Sequence, residues 1–369
     1  MSKLDELARA TIFSIKPYVP GKPIEEVERE YGISGAIKLA SNENPLGPSP
    51  AVLEAVRAAV PRIFTYPDGN CYYLKQELAQ FYHLDESNFI IGNGTDEVIK
   101  MIGEAFLETE DDVLYPWPSF SEYIFVTKLM GAKPVPVELT ADFKYDFQKF
   151  NEQVSSNTKL VFICNPNNPT GTFANKEDLK EFIDSLPTDI LVVVDEAYDE
   201  YVTDPSYSSA VELINSHKNV IVLRTFSKIY GLAGLRVGYG MASPEIISLL
   251  NRVREPFNVN LLAQEAAVAA LKDQEHVRQS RDLVIEGKKY LYKEFERLGL
   301  NYIPSETNFI FLDLKRDSIK VFKALLKEGV IIRTGDIFDY PTYIRVTVGT
   351  AEQNKRFISS LEKVLNSIE

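Results

Sequence analysis

Lys228 stands in the stretch RTFSKIYGLAGLRVGYG, residues 224 to 240, one place after Ser227 and eight before Arg236, among small and apolar residues. A lysine amine desolvated by such packing and close to a second cation loses basicity, which is the state required for condensation with an aldehyde. Ser227 and the planar fork of Arg236 are phosphate-gripping types. The glycines and alanine let the backbone approach a ligand closely. A Ser-Lys pair after a strand is in many proteins only a surface turn, so the chemistry depends on what else converges there.

Three other stretches end apolar runs in polar groups. In FIIGNGTDEVIKMI (89–102) a strand pattern meets Gly92-Asn93-Gly94, and Thr95 reads as the N-cap of the following helix, so that free N–H groups form an anion site. A dinucleotide fingerprint would need glycine where Glu97 stands, which favours a single phosphate over a nicotinamide cofactor. In LVVVDEAYDEY (191–201) Asp195 closes an apolar run, with Tyr198 three residues on; a carboxylate there needs a cation or strong donor. In FICNPNNPTG (162–171), turn-forming residues hold Asn168 at a strand end, either as a plain turn or as a rigid mount for a site.

The elements that must carry these groups are legible. From about 88 to 242, apolar runs (NFIIG, DDVLYP, KLVFIC, DILVVVDE, NVIVLRT) alternate with helical patterns, which predicts an α/β domain with a mainly parallel sheet sandwiched by helices. Ligands of such sheets sit at the carboxyl ends of the strands, where all four polar stretches lie. Beyond about 255, long helical patterns and the runs NFIFLDL, GVIIRT and YIRVTVG predict a smaller α+β domain. The expected division is an N-terminal arm (1–35) joining the small domain, a large cofactor-binding domain (36–255) and a small C-terminal domain (256–369).

Composition narrows the classes. Forty Lys plus Arg against 53 Asp plus Glu give a net charge of −13, which disfavours nucleic acid and anionic membranes as partners. No long apolar run or signal-like N-terminus is present, so a cytoplasmic location is expected. Cys71 and Cys164 are expected to be free thiols, and the scattered His83, His217 and His276 predict neither a metal site nor a Ser-His-Asp triad.

A mono-phosphate pocket, an amine, a buried carboxylate, a phenol and an amide together match one cofactor, pyridoxal 5'-phosphate. On GNGTDE, NPNNPTG, DEAY and SKxxGLAGLRxGY, in that order, the chain resembles the fold type I pyridoxal-phosphate aminotransferases of class I/II. The stretches KPYVPGK, KLASNENPLG and TYPDGNCYYLK narrow the resemblance to the histidinol-phosphate aminotransferase branch. The resemblance implies that Lys228 carries the cofactor as an imine and moves the proton between substrate Cα and cofactor C4', while Asp195 keeps the pyridine nitrogen protonated. It implies that Tyr198 and Asn168 bond the ring oxygen and that Phe120 stacks on the ring, with Trp117 the lesser candidate. Gly94, Thr95, Asp96, Ser227 and Arg236 would hold the phosphate, with Thr225 a weaker choice.

The same resemblance assigns Tyr66 to the cofactor phosphate of a partner in a homodimer with shared sites. Tyr18 falls on the substrate side, Arg345 on the substrate α-carboxylate and Arg333 on the distal phosphate. A charged residue within a strand pattern needs an anionic partner in any case. Thr65, before YPDG, departs from the basic residue frequent in the branch.

The implied reaction is transamination between L-histidinol phosphate and 2-oxoglutarate in histidine biosynthesis. The competing readings are an aromatic amino acid aminotransferase, a threonine-phosphate decarboxylase on the same site and a silent ligand sensor. The last would need a DNA-binding segment, for which the chain leaves little room before its first motif.

Overall fold

In the computed structural model, which describes residues 5–17 and 21–367, a short strand β1 (Ile37–Lys38) precedes one seven-stranded sheet. Its strands are β2 (Phe89–Gly92), β3 (Asp112–Trp117), β4 (Lys133–Glu138), β5 (Thr158–Cys164), β6 (Leu191–Asp195), β7 (Val220–Thr225) and β8 (Gly238–Ala242). Their spatial order is β2-β8-β7-β6-β5-β3-β4. β8 runs antiparallel to the other six strands.

The unbroken apolar runs have a direct cause, because successive side chains of a strand enter opposite faces and both faces are covered. Val192 and Val194 of β6, with Val220 and Val222 of β7, belong to one core, packed with the helix Lys176–Ser185. Leu191, Val193, Ile221 and Leu223 enter a second core formed with the helices Thr95–Phe106, Ser121–Met130 and Pro244–Val253.

Two strands carry no apolar run. β4 is an edge strand paired only with β3, which lets it hold Pro134 and Pro136 without losing an interior ladder bond. β8 (GYGMA) is glycine-rich because a side chain at Gly238 would sit 2.6 Å from the Thr95 nitrogen.

A second, four-stranded antiparallel sheet has the order β12-β13-β10-β9, from β9 (Asn301–Tyr302), β10 (Phe309–Asp313), β12 (Arg333–Thr334) and β13 (Tyr343–Thr347). The GVIIRT run divides: β11 (Val330–Ile331) pairs in parallel with β1, whereas Arg333 pairs across from Arg345. The long helical stretch also divides, into Leu261–Lys272 and Gln274–Arg297, at Asp273, whose carboxylate accepts from the His276 N–H at 3.1 Å. Among the described residues no helix is long and apolar enough to cross a membrane.

A buried ion network supports the segment after β6 from below. Arg224 donates to Glu196 (2.9 Å), Asp199 (2.6 Å) and Ser209 (3.0 Å), and Glu196 also accepts from the Ala210 N–H. Arg224 and Glu196 are both buried. Removing one partner of such a pair leaves an uncompensated buried charge, so Arg224→Met should lower unfolding stability by about 3–5 kcal/mol in denaturant titration. A change below about 1 kcal/mol would contradict this role.

Candidate active site

The carboxyl ends of β5, β6 and β7 open into one cavity of about 280 Å³. Thr95, Asp96, Phe120, Asn168, Asp195, Tyr198, Ser227, Lys228, Arg236, Arg333 and Arg345 all line it, as does Thr225. Gly94 lies beside it, Tyr66 is not among its walls, and Tyr18 lies outside the described residues.

Lys228 follows β7 and is half-buried, its amine donating to the Ser41 carbonyl at 3.2 Å. Burial first, and then the Arg345 guanidinium, bring that amine down to about 8; Asp96 and Glu43 act against the shift, and Arg236 adds to it. About a tenth of the amine is therefore unprotonated at pH 7, far more than for an ordinary lysine.

Asp195 ends β6 with one oxygen accepting from the Tyr123 hydroxyl at 2.8 Å and the other from the Ala197 N–H at 3.2 Å. Burial pushes its carboxyl up to about 6 despite these donors. Tyr123 was not singled out from the sequence; its only signal is a tyrosine three residues after Phe120 in a helix that packs on β5, where it stacks on Phe162. Phe120 meets Tyr123 edge-on, with ring centroids 5.7 Å apart.

Asn168 is held by a loop whose other members satisfy one another. Asn167 donates to Pro118 and Thr170 and accepts from Ser119, and Gly171, at φ +76°, closes the turn onto the Asn167 carbonyl. Asn168 itself accepts from the Arg345 Nη1 at 2.6 Å, and the Arg345 Nη2 donates to the Ala40 carbonyl at 2.8 Å. Tyr198 is buried, with its ring 5.7 Å from the Lys228 amine and its hydroxyl accepting from Asn42 at 2.9 Å. Asn42, Ser41 and Glu43 are wall residues that the sequence reading quoted in KLASNENPLG without assigning.

At the phosphate-type end, the helix Thr95–Phe106 starts one residue earlier than expected, at Thr95 itself. Gly94, at φ +82°, is the N-cap, and Thr95 instead directs its hydroxyl to the Arg224 carbonyl at 3.3 Å. The positive-φ backbone there suits glycine, and a Cβ at Gly94 would strike the Arg236 guanidinium. Arg236 reaches Ser227 at 3.4 Å and pairs with Asp96 at 2.9 Å, so Asp96 braces the arginine through its side chain. Tyr66 is exposed and stacks on Phe257, centroids 4.8 Å apart.

The comparisons with known proteins agree with this geometry. Residues 34–361 match the family model of class I and II aminotransferases. The chain is 57% identical over 358 residues to a histidinol-phosphate aminotransferase of Moorella thermoacetica, covering 97% of this chain and 92% of that one. It is 49% identical to one of Caldicellulosiruptor saccharolyticus over 97% and 99% of the two chains. A crystal structure of histidinol-phosphate aminotransferase from Sinorhizobium meliloti in complex with pyridoxal-5'-phosphate shares the fold at a TM-score of 0.90, with 28% identity and 98% coverage of each chain. With its large, mainly parallel sheet, smaller antiparallel sheet and a lysine at the strand ends, the chain belongs to the class I and II aminotransferases.

Proposed function

We propose that the protein transfers the amino group of L-histidinol phosphate to 2-oxoglutarate, using pyridoxal 5'-phosphate. The observation that carries this reading is the convergence in one cavity of an unprotonated-prone lysine, a buried carboxylate and two arginines.

The residues fit that cofactor. Gly94, Thr95, Ser227 and Arg236 would hold its phosphate, with Asp96 bracing the arginine. Asp195 is a carboxylate whose two hydrogen-bond donors are neutral, which suits a cationic ring nitrogen facing it. When bound, the cofactor supplies an electron sink for the pair left on Cα. Lys228 attaches it and later holds and moves the proton at Cα. Tyr198 and Asn168 would hydrogen-bond its ring oxygen, and Phe120 would pack on its ring. Arg345 binds the α-carboxylate of glutamate, and Arg333 the distal anionic group, with Ile337 and Phe338 as apolar wall.

The test is a half-reaction panel of L-histidinol phosphate, tyrosine, phenylalanine and threonine phosphate, read by the change in the bound cofactor's absorbance. Histidinol phosphate is expected to react with the highest kcat/KM. Faster conversion of the aromatic amino acids would make the protein an aromatic aminotransferase. Carbon dioxide release from threonine phosphate would make it a decarboxylase.

The proposed domain division is supported by the separate sheets, one spanning residues 89–242 and the other 301–347, whereas β1 (Ile37–Lys38) pairs with β11 and so goes with the arm and the smaller part. A homodimer is supported by exposed Ile63, Phe64, Tyr66 and Tyr73, an apolar grouping unusual on a lone soluble chain. In that assembly Tyr66 reaches the partner's cofactor phosphate. Mixing a Tyr66→Phe variant with a Lys228→Ala variant should then give hybrid dimers with one intact site and partial activity. No recovery in verified hybrids would refute shared sites. Two buried free cysteines suit the reducing cytoplasm.

A further inference from the structure

Asn42 is 1% exposed and adopts φ +58°, a conformation that asparagine tolerates better than most side chains. Its backbone is tied to the smaller sheet: its N–H donates to the Thr347 hydroxyl at 2.9 Å, and its carbonyl accepts from Asn308 at 2.9 Å. The Thr347 hydroxyl in turn donates to the Asn42 Oδ1 at 3.2 Å. That bond fixes which end of the amide is which, and leaves Nδ2 to donate to the Tyr198 hydroxyl at 2.9 Å.

A phenol that accepts one hydrogen bond turns its own proton outward and donates it more strongly. Here the outward direction is the cavity that Tyr198 shares with Lys228. We infer that Asn42 is a positioning residue that holds the Tyr198 hydroxyl as a donor toward the cofactor ring oxygen. Through Thr347, two residues beyond Arg345 on β13, it couples that donor to the strand bearing the carboxylate clamp. The inference rests on the pyridoxal-phosphate reading.

A donor on the ring oxygen favours the form in which that oxygen bears most charge, the deprotonated state of the lysine-bound cofactor. Loss of the donor therefore raises the pH midpoint of the visible absorbance. Asn42→Gly keeps the backbone conformation and removes the amide, and should raise the midpoint by about 0.5–1 pH unit, the scale of one neutral hydrogen bond. Thr347→Val, which frees the amide to rotate, should shift it the same way by less. In a Tyr198→Phe background Asn42→Gly should add no further shift. Arg345, Arg236, Asp96 and Glu43, which also act on the amine, are untouched by these changes.

The measurement is a spectrophotometric pH titration of purified holoenzyme, with thermal unfolding of each variant alongside. A wild-type midpoint in both Asn42→Gly and Thr347→Val, with cofactor bound, overturns the inference. So does an Asn42→Gly shift that persists undiminished in the Tyr198→Phe background. A wild-type protein that takes up pyridoxal phosphate without a visible band overturns the cofactor reading itself.

Discussion

Lys228→Ala should yield a folded protein without the pH-sensitive visible band of lysine-bound cofactor, and with transamination slowed by about 10⁴-fold or more, since attachment and proton transfer are lost together. Turnover near the wild-type rate would sink the mechanism. The folding stability of the cofactor-free protein should move the other way. The amine is held at about 8 against 10.5 for an ordinary lysine, so between those values the unfolded chain binds more protons and stability rises with pH. Below pH 8 the desolvated ammonium costs its full penalty, up to about 3 kcal/mol. Lys228→Met, which keeps most of the stem, should therefore be at least as stable as wild type at pH 7 and should lose the rise above pH 8. A marked loss of stability would mean that the lysine holds the fold rather than the chemistry.

Asp195→Asn should lower the rate by about 10²–10³-fold or more while weakening cofactor retention, because a neutral amide cannot balance a charged ring nitrogen in a dry site. Its stability effect again has the opposite sign. The native carboxyl at about 6 binds protons more tightly than an ordinary one at 3.8, so the cost of its charge grows from pH 3.8 to 6 and is complete above pH 6. The asparagine variant, freed of that charge, should match or exceed wild-type stability at pH 7 without cofactor, and the difference should fade as pH falls toward 4. Unchanged turnover would remove the electron-sink role of Asp195. A sharp loss of cofactor-free stability would reassign it to structure.

How much of this was legible in the chain differed from element to element. The strands β2, β3, β5, β6 and β7 could be read because both of their faces are buried, which writes an unbroken apolar run. β4 and β8 could not: prolines are tolerated at an edge, and glycines are demanded where Thr95 presses on β8. The start of the helix after Gly94 was misplaced by one residue because both Gly94 and Thr95 suit a cap, and the choice went to the backbone needed beside Arg236.

Lys228, Asp195, Tyr198 and Asn168 were legible as residue types at strand ends, since the parallel sheet sends those ends to one crevice. Their partners were not. Tyr123 reaches Asp195 across 72 residues, Arg345 reaches Asn168 across 177, and Asn42 reaches Tyr198 across 156. What the sequence by itself determined was the architecture and the identity of the reactive groups, because apolar periodicity and polar strand ends are local properties. The tertiary structure alone decided which neutral donors face Asp195, which amide orients Tyr198 and which arginine holds down the Lys228 amine, because burial and distance between remote segments set those interactions.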